Sequence, residues 1–260
     1  MKIGIVTVSF NQAGYLAQAM ASVTVGSPHE LRYVIVDPGS SDGSRDIIQR
    51  HRDRLHRAIL EPDGGPADGL NKGFAACDAE VYGYLNSDDC YEAGALDFVA
   101  DYFADHPSSD VLLGAVRIMD ATGKARLRKR IALGVTPADM LRGTSCILQP
   151  ATFFRQRAWA ATHGFNARNH TCWDGELVLD MVLAGSRIGV VRRILARFRL
   201  HADSISGSGR LAAEYRRDRA RLRARIAAAG YTPDGPLGSF LRRLWFWLNP
   251  ARRAAEFLVR

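Results

Sequence analysis

The 260-residue chain predicts an α/β fold: a Rossmann-like, mostly parallel sheet flanked by helices, followed by a basic helical C-terminal tail. Three observations predict it. Short β-branched runs alternate with helically spaced apolar positions through roughly the first hundred residues. Polar clusters fall where those runs end, the edge at which parallel sheets bind ligands. The net charge of +8 lies entirely in the last fifth, where residues 209–260 carry 12 Arg against 4 acids; residues 1–208 hold 23 basic and 23 acidic residues. That distribution describes a neutral body with a basic tail rather than a basic domain.

The elements follow in order. "KIGIVTVSF" is a strand, and "NQAGYLAQAMASV" a helix with apolar spacing at Tyr15, Leu16, Ala19, Met20 and Val23. "LRYVIVDPGS" is a second strand ending at Asp37, and "SDGSRDIIQRHRDRL" a turn leading into a helix. "HRAILEPDGG" is a short third strand, "PADGLNKGFAAC" a helix capped near its start by Asp68, and "EVYGYLNSDD" the next strand. "ALDFVADYFADHP" is an amphipathic helix stopped by Pro107. "DVLLGAVRIMDATGKARLRKRI" reads as a hairpin turning at "DATGK", and "ILQPATFFRQRAWAATHGF" as a short strand then a helix. "WDGELVLDMVLAG" is a helix closed by Gly185, and "RIGVVRRILARFRLHADSISGS" one or two strands entering a Ser/Gly loop. Two basic helical segments separated by "GYTPDGP" complete the chain, which shows no internal repeat.

Several classes are excluded. No run reaches the ~20 apolar residues of a membrane span. The four cysteines form no CxxC pair, so neither a zinc site nor a disulfide framework is signalled, and a reducing compartment fits. Asn11 and Gln12 interrupt the first apolar run too early for a signal peptide.

The chemistry gathers at "YLNSDDC", where an apolar strand ends in adjacent carboxylates, Asp88 and Asp89. Their repulsion needs compensation by a cation, hydrogen bonds or solvent. A solvated turn with Asp89 capping the next helix would suffice. With Asp37 and residues 9–11 on the same rim, a cation-assisted phosphate site accounts for more of the sequence.

Four stretches, "VTVSFNQAGYLAQAMASV", "YVIVDPGSSDGSRDII", "EPDGGPADGLNKGF" and "YGYLNSDDCYEAGAL", resemble family 2 glycosyltransferases in order and spacing. The match is specific from Lys2 to about Leu96 and looser to about Ser206. The resemblance implies a GT-A fold and a nucleotide-diphosphate sugar donor. It places residues 1–96 in the nucleotide-sugar part and 97–208 in the acceptor part of one domain, with 209–260 as a tail. It implies that Val8, Ser9, Phe10 and Asn11 line the base, that Asp37 bonds base or ribose, and that Asp68 and Lys72 lie near the nucleotide. Asp88 would face ribose or sugar, Asp89 would hold Mn²⁺ or Mg²⁺, and His201 would lie near the diphosphate or metal. Bland readings remain beside these: Asp37 ordering its own turn, Lys72 on the surface, His201 as a structural hydrogen-bonder. Two positions depart from the family, Pro38 where a second acid is common and Asn86 at the first acidic-motif position.

Asp174, heading the "WDGELVLDM" helix, stands at the family's catalytic position and would be the general base of an inverting transfer; a plain N-cap is its simpler role. Glu176 is the substitute, and Gln149 with Phe153 or Phe154 would flank the acceptor unless the aromatics are core. The implied acceptor is a glycan or lipid-linked glycan, as in cell-surface polysaccharide synthesis. Trp245, Phe246, Trp247 and Leu248 beside Arg242, Arg243, Arg252 and Arg253 suit a peripheral anionic membrane surface, at the inner face of a cell membrane. Packing on the body or in a homodimer is the alternative, and no nucleic-acid module accompanies the arginines. Two rival functions are a sugar-nucleotide-forming nucleotidyltransferase, disfavoured by a first loop without Lys or Arg, and an inactive nucleotide-sugar binding module.

Overall fold

A computed structural model describes residues 1–24, 29–132, 135–143, 145–202 and 211–232. The first half alternates as its periodicity predicts. Strand β1 (Lys2–Val8) leads to α1 (Ala13–Thr24), β2 (Glu30–Val36) to α2 (Ser44–Arg50), β3 (Arg57–Ile59) to α3 (Pro66–Ala75), and then comes β4 (Val81–Asn86). Helix α1 buries Leu16, Ala19, Met20 and Val23, the expected stripe. Helix α3 lies unusually close to the sheet, because a Cβ on Gly73 would come within 2.3 Å of Val6 Cγ1. Its N-cap is Gly65 rather than Asp68, which sits in the first turn.

The second half adds β5 (Cys90–Tyr91), α4 (Ala95–Asp105), β6 (Val111–Met119), β7 (Ala125–Ile131), α5 (Pro137–Arg142), β8 (Thr152–Arg155), α6 (Gln156–Ala160), α7 (Trp173–Leu183), β9 (Ile188–Arg199) and α8 (Ala212–Ala228). The sheet order is β3-β2-β1-β4-β8-β6-β9-β5, with β7 on β6. Strands β3, β2, β1 and β4 are mutually parallel, so their carboxyl ends share one rim. From β8 onward the pairing is mixed. Strand β5, only two residues long, pairs antiparallel with the end of β9, Cys90 with Arg197 and Tyr91 with Ala196. That pairing brings the acidic turn against the chain just before His201.

One apolar core covers the α1 and α4 face, and a second, rich in aromatics, lies under α3 and α7. Phe153 and Phe154 are fully buried in these cores, which leaves them packing rather than facing an acceptor. A third, smaller core joins α8 to the body through Leu222 and Ile226 against Met140, Val178 and Leu179. Each fully buried aliphatic side chain of this kind contributes about 1.5–3 kcal/mol. The first basic helix of the tail is therefore integral to the body, and its Arg221 and Arg225 turn inward. The aromatic segment 236–260 lies outside the described residues. Among the described residues, no helix is long and apolar enough to cross a membrane.

Candidate active site

Three loops converge at the carboxyl rim of the parallel strands. After β1, Ser9 N–H donates to Val36 O (2.9 Å), and Ser87 N–H after β4 donates to Val8 O (3.2 Å). The ladder thus continues into the loops and holds them side by side. Ser9 is buried, and its Oγ has no hydrogen-bond partner. Phe10 is 59% exposed, a large apolar ring standing free beside the rim. Asn11 adopts a left-handed backbone (φ 52°), accepts Ser41 N–H on Oδ1 (2.9 Å) and donates its own N–H to Ser40 Oγ (2.8 Å). Short polar side chains tolerate that conformation best.

Asp37 is fully buried, and its oxygens serve its own turn. Oδ1 accepts Gly39 N–H (3.1 Å), Ser40 N–H (2.8 Å) and Arg45 Nε–H (3.1 Å), while Oδ2 accepts the Ser40 hydroxyl (2.6 Å). Burial opposes its ionisation, but Ser40, Arg45 and Gly39 outweigh that and hold the carboxyl below its usual value. On the next loop, Asp68 accepts Gly64 N–H (2.9 Å) and pairs with Lys72 (3.1 Å), whose Nζ also donates to Pro62 O (2.8 Å). Asp68 and Lys72 therefore form one unit that fixes the Gly-Gly turn. Asp63, in the polar cluster that ends the third strand, joins them: Oδ1 accepts Gly65 N–H (2.8 Å), and burial raises its pKa.

The adjacent acids behave differently from one another. Asp88 Oδ2 lies 3.0 Å from His201 Nε2, with both side chains mostly buried. Asp89 is 1% exposed; its Oδ1 accepts Arg199 N–H (2.8 Å), and its Oδ2 is buried without a hydrogen-bond partner. Burial, then repulsion from Asp88, pushes the Asp89 carboxyl well above its usual range, against the opposing pull of the Arg199 amide and charge. His201 thus meets the first acid of the pair, whereas the sequence reading put both metal contacts on Asp89 and His201. Among the described residues no three His, Cys, Asp or Glu side chains cluster as a self-sufficient metal site. A hard carboxylate oxygen and an imidazole nitrogen do suit Mn²⁺ or Mg²⁺, provided a ligand such as a diphosphate completes the shell.

Arg199 was missed in the sequence. It is almost fully buried and reaches Asp88 O through Nε (2.7 Å), Asp120 O and Ala121 O through Nη1 (3.2 and 3.1 Å), and Gln18 Oε1 through Nη2 (2.6 Å). Its guanidinium also lies over the Tyr15 ring (4.5 Å), which itself contacts His201 (5.1 Å). In "RRILARFRLH" four arginines look alike; only the place of Arg199 at the strand end, two residues before His201, sets it apart.

Helix α7 carries the remaining candidates. Its N-cap is Cys172, so Asp174 lies in the first turn rather than capping. Burial raises the Asp174 carboxyl to about 6, against the opposing amides of Gly175 and its own residue. Glu176 is buried and bound on all sides. Arg221 grips it with two bonds of 2.6 Å, Arg225 adds one of 2.8 Å, Asn169 one of 2.7 Å, and Asn166 shares its amide between both oxygens (3.2 and 3.3 Å). Burial opposes its ionisation, but Arg221 and the asparagines prevail and bring it to about 2. Its place on the apolar stripe with Trp173 and Leu177 was the sequence signal of a paired charge. Gln149 donates to Tyr84 O (3.0 Å), below the rim on β4.

The glycosyl transferase family 2 profile matches residues 4–168. An uncharacterized glycosyltransferase of Nostoc sp. is 33% identical over 115 residues, which cover 43% of this chain and 35% of that protein. The succinoglycan biosynthesis protein ExoU of Rhizobium meliloti is 26% identical over 232 residues, covering 82% and 67%. Among solved structures, S. aureus TarS 1–349 in complex with UDP-GlcNAc superposes with a TM-score of 0.68 at 20% identity, covering 87% of this chain and 66% of that one. The mannosyltransferase PcManGT of Pyrobaculum calidifontis, in complex with GDP-Man and Mn²⁺, gives 0.63 at 13% identity, covering 98% and 83%. This chain spans about a third of the Nostoc protein's length.

Proposed function

Because this chain belongs to glycosyl transferase family 2, we propose that it transfers a sugar, with inversion, from a nucleoside-diphosphate sugar to a hydroxyl of a glycan or lipid-linked glycan. Relatives named for succinoglycan and teichuronic acid biosynthesis support a role in cell-surface polysaccharide synthesis. One observation carries the reading: α7 presents two carboxylates two residues apart, Glu176 locked by Arg221, Arg225, Asn169 and Asn166 and Asp174 in the first turn beside it, an arrangement that drives their proton affinities apart. Such a split separates a working base from an anchor.

In this reading Asp174 accepts the proton of the acceptor hydroxyl as that oxygen attacks the anomeric carbon, and the nucleoside diphosphate departs from the opposite face. Ser9, Phe10 and Asn11, with the turn that Asp37 orders, line the nucleotide. Asp68 and Lys72 keep the neighbouring loop in place. Asp88 and His201 would hold Mn²⁺ or Mg²⁺, whose charge offsets that of a leaving diphosphate. The metal role passes to Asp88 because its carboxylate reaches His201, while Asp89 is buried on Arg199.

The test is hydrolysis and transfer with a panel of UDP-, GDP-, CDP- and dTDP-sugars, with and without Mn²⁺, reading product anomeric configuration by NMR. Transfer with inversion supports the reading. Retention removes Asp174 as base, and binding of a nucleotide sugar without turnover turns the chain into a binding module.

A further inference from the structure

A buried guanidinium joins four separate parts of the chain beneath the candidate metal pair. Arginine has five N–H donors in a rigid plane. Arg199 directs four hydrogen bonds from that plane onto neutral acceptors: the carbonyls of Asp88, Asp120 and Ala121, and the side-chain oxygen of Gln18. Its backbone N–H takes the Asp89 carboxylate. A buried cation bonded only to neutral acceptors is an expensive way to stabilise a fold, since its desolvation is not recovered by direct ion pairing. Asp89 meets the residue only through its backbone amide, not through the guanidinium. The acidic turn, the end of β9, the β6–β7 turn and α1 thus share one rigid anchor. Both groups of the pair rest on it. Asp88 is held through its own carbonyl, and His201 lies two residues along the chain against the Tyr15 ring that the guanidinium covers.

We propose that Arg199 is a positioning residue that sets the spacing of Asp88 and His201, and that Gln18 completes its anchorage. Arg199 touches no reacting atom and acts through the backbone it clamps. Lysine at 199 keeps the charge but has no planar fork to satisfy all four acceptors at once. Gln18 offers an independent probe, because it is an exposed residue of α1 and its loss removes one bond without opening the core.

The experiment uses the full chain as wild type, Arg199→Lys, Gln18→Leu and the double variant. Three quantities are measured: kcat and KM for the donor found in the panel, the melting temperature, and Mn²⁺ affinity in the presence of inorganic diphosphate, by EPR of the free ion. For Arg199→Lys, kcat falls about tenfold to a hundredfold, the cost of a misplacement of about 1 Å. Donor KM stays within about twofold, and Mn²⁺ binds about tenfold more weakly, a loss made in the transition state rather than in donor binding. Gln18→Leu shows the same pattern at about threefold, with an unchanged melting temperature, and the double variant is no worse than Arg199→Lys, since both act through one anchor.

Unchanged kcat and Mn²⁺ affinity overturn the proposal, as does a loss that follows only the folded fraction, or strict additivity. If Arg199→Lys does not fold, Gln18→Leu decides by the same criteria. The proposal rests on the metal reading above, and the outcomes separate the two. A wild type that binds no Mn²⁺ sinks both; a wild type that binds, with variants that match it, sinks the positioning role alone.

Discussion

The end of β4 and the head of α7 each carry two carboxylates, and each pair has one acid bound to arginine. At β4, Asp89 receives only a backbone amide from Arg199, keeps one oxygen without a partner, and has its pKa pushed well above the usual range. At α7, Glu176 receives a bidentate guanidinium, a second arginine and two amides, and falls to about 2. Both acids are almost fully buried. Burial alone therefore does not set the charge of an acid; the number and charge of the donors that reach it do. The less buried partner in each pair, Asp88 or Asp174, is the one to which the proposed chemistry falls.

The largest effect that separates the members of a pair is expected at α7. Asp174→Asn should lower transfer by a factor on the order of 10² to 10⁴ while leaving nucleotide binding intact. Rate against pH should lose activity as the medium falls below about 6, because the base is then protonated. If Glu176→Gln abolishes transfer in a stable protein and Asp174→Asn is mild, the two roles are exchanged.

At β4 the contrast is between adjacent residues. Asp88→Asn should reduce metal-stimulated turnover roughly a hundredfold or more, the usual cost of losing such electrostatic stabilisation. Asp89→Asn should remain metal-dependent, because an amide oxygen still accepts the Arg199 N–H. Steady-state rates across a Mn²⁺ titration decide it. An Asp89→Asn enzyme that no longer responds to Mn²⁺, beside a responsive Asp88→Asn, restores the metal contact to Asp89.

The pattern of what was legible follows the range of the interactions. Strands β1 to β4 and helices α1 to α3 were readable because period and turn chemistry are local, and the buried stripe of α1 matches its sequence spacing. Asp37, Asp88 and Asp174 stood out as candidates because each stands at a strand end or helix head. Strand β5 was missed because two residues carry no period; β9 creates it by pairing. Helix α5, six residues long, was lost within an irregular stretch. The anchors Arg199, Arg221 and Arg225 were hidden for the same reason. The groups they anchor on the body lie 45 or more residues away, and an arginine that will be buried looks like its exposed neighbours.

Stability against pH sharpens the comparison further. Glu176 has a folded pKa of about 2, below the ordinary value near 4.3. Its contribution is complete above pH ~4.3 and is lost as the pH falls toward 2. Asp174, raised to about 6, has the opposite sign: stability falls as the pH rises from ~3.9 through about 6. Chemical denaturation at several pH values should show Glu176→Gln losing about 1–3 kcal/mol at neutral pH, because the arginines left behind are 38% and 40% exposed and regain solvent. Asp174→Asn should flatten the slope between pH 4 and 6. A Glu176→Gln protein as stable as wild type would mean that the α8 arginines do not grip the body.

The smallest effect concerns where the body ends. The neutral portion stops at residue 208 by charge, yet α8 beyond it supplies Arg221 and Arg225 to Glu176 and Asp180, and Leu222 and Ile226 to a core with α5 and α7. Truncation after Gly235 keeps α8 and removes the aromatic and basic segment. Donor hydrolysis should then be unchanged, because the proposed donor residues all lie upstream. What should be lost is binding to anionic liposomes. Trp245, Phe246, Trp247 and Leu248 would enter the acyl boundary, and each arginine near the surface contributes about 1 kcal/mol. Wild-type binding should weaken with salt, since the Debye length is only about 10 Å at 0.1 M. Truncation after residue 208, by contrast, leaves Glu176 buried without its arginines and should yield an unstable or insoluble protein. Flotation with anionic vesicles and a melting curve on both truncations separate the two roles proposed for the basic tail. If the Gly235 truncation still floats, or if neither it nor the wild type does, segment 236–260 packs on protein rather than on lipid.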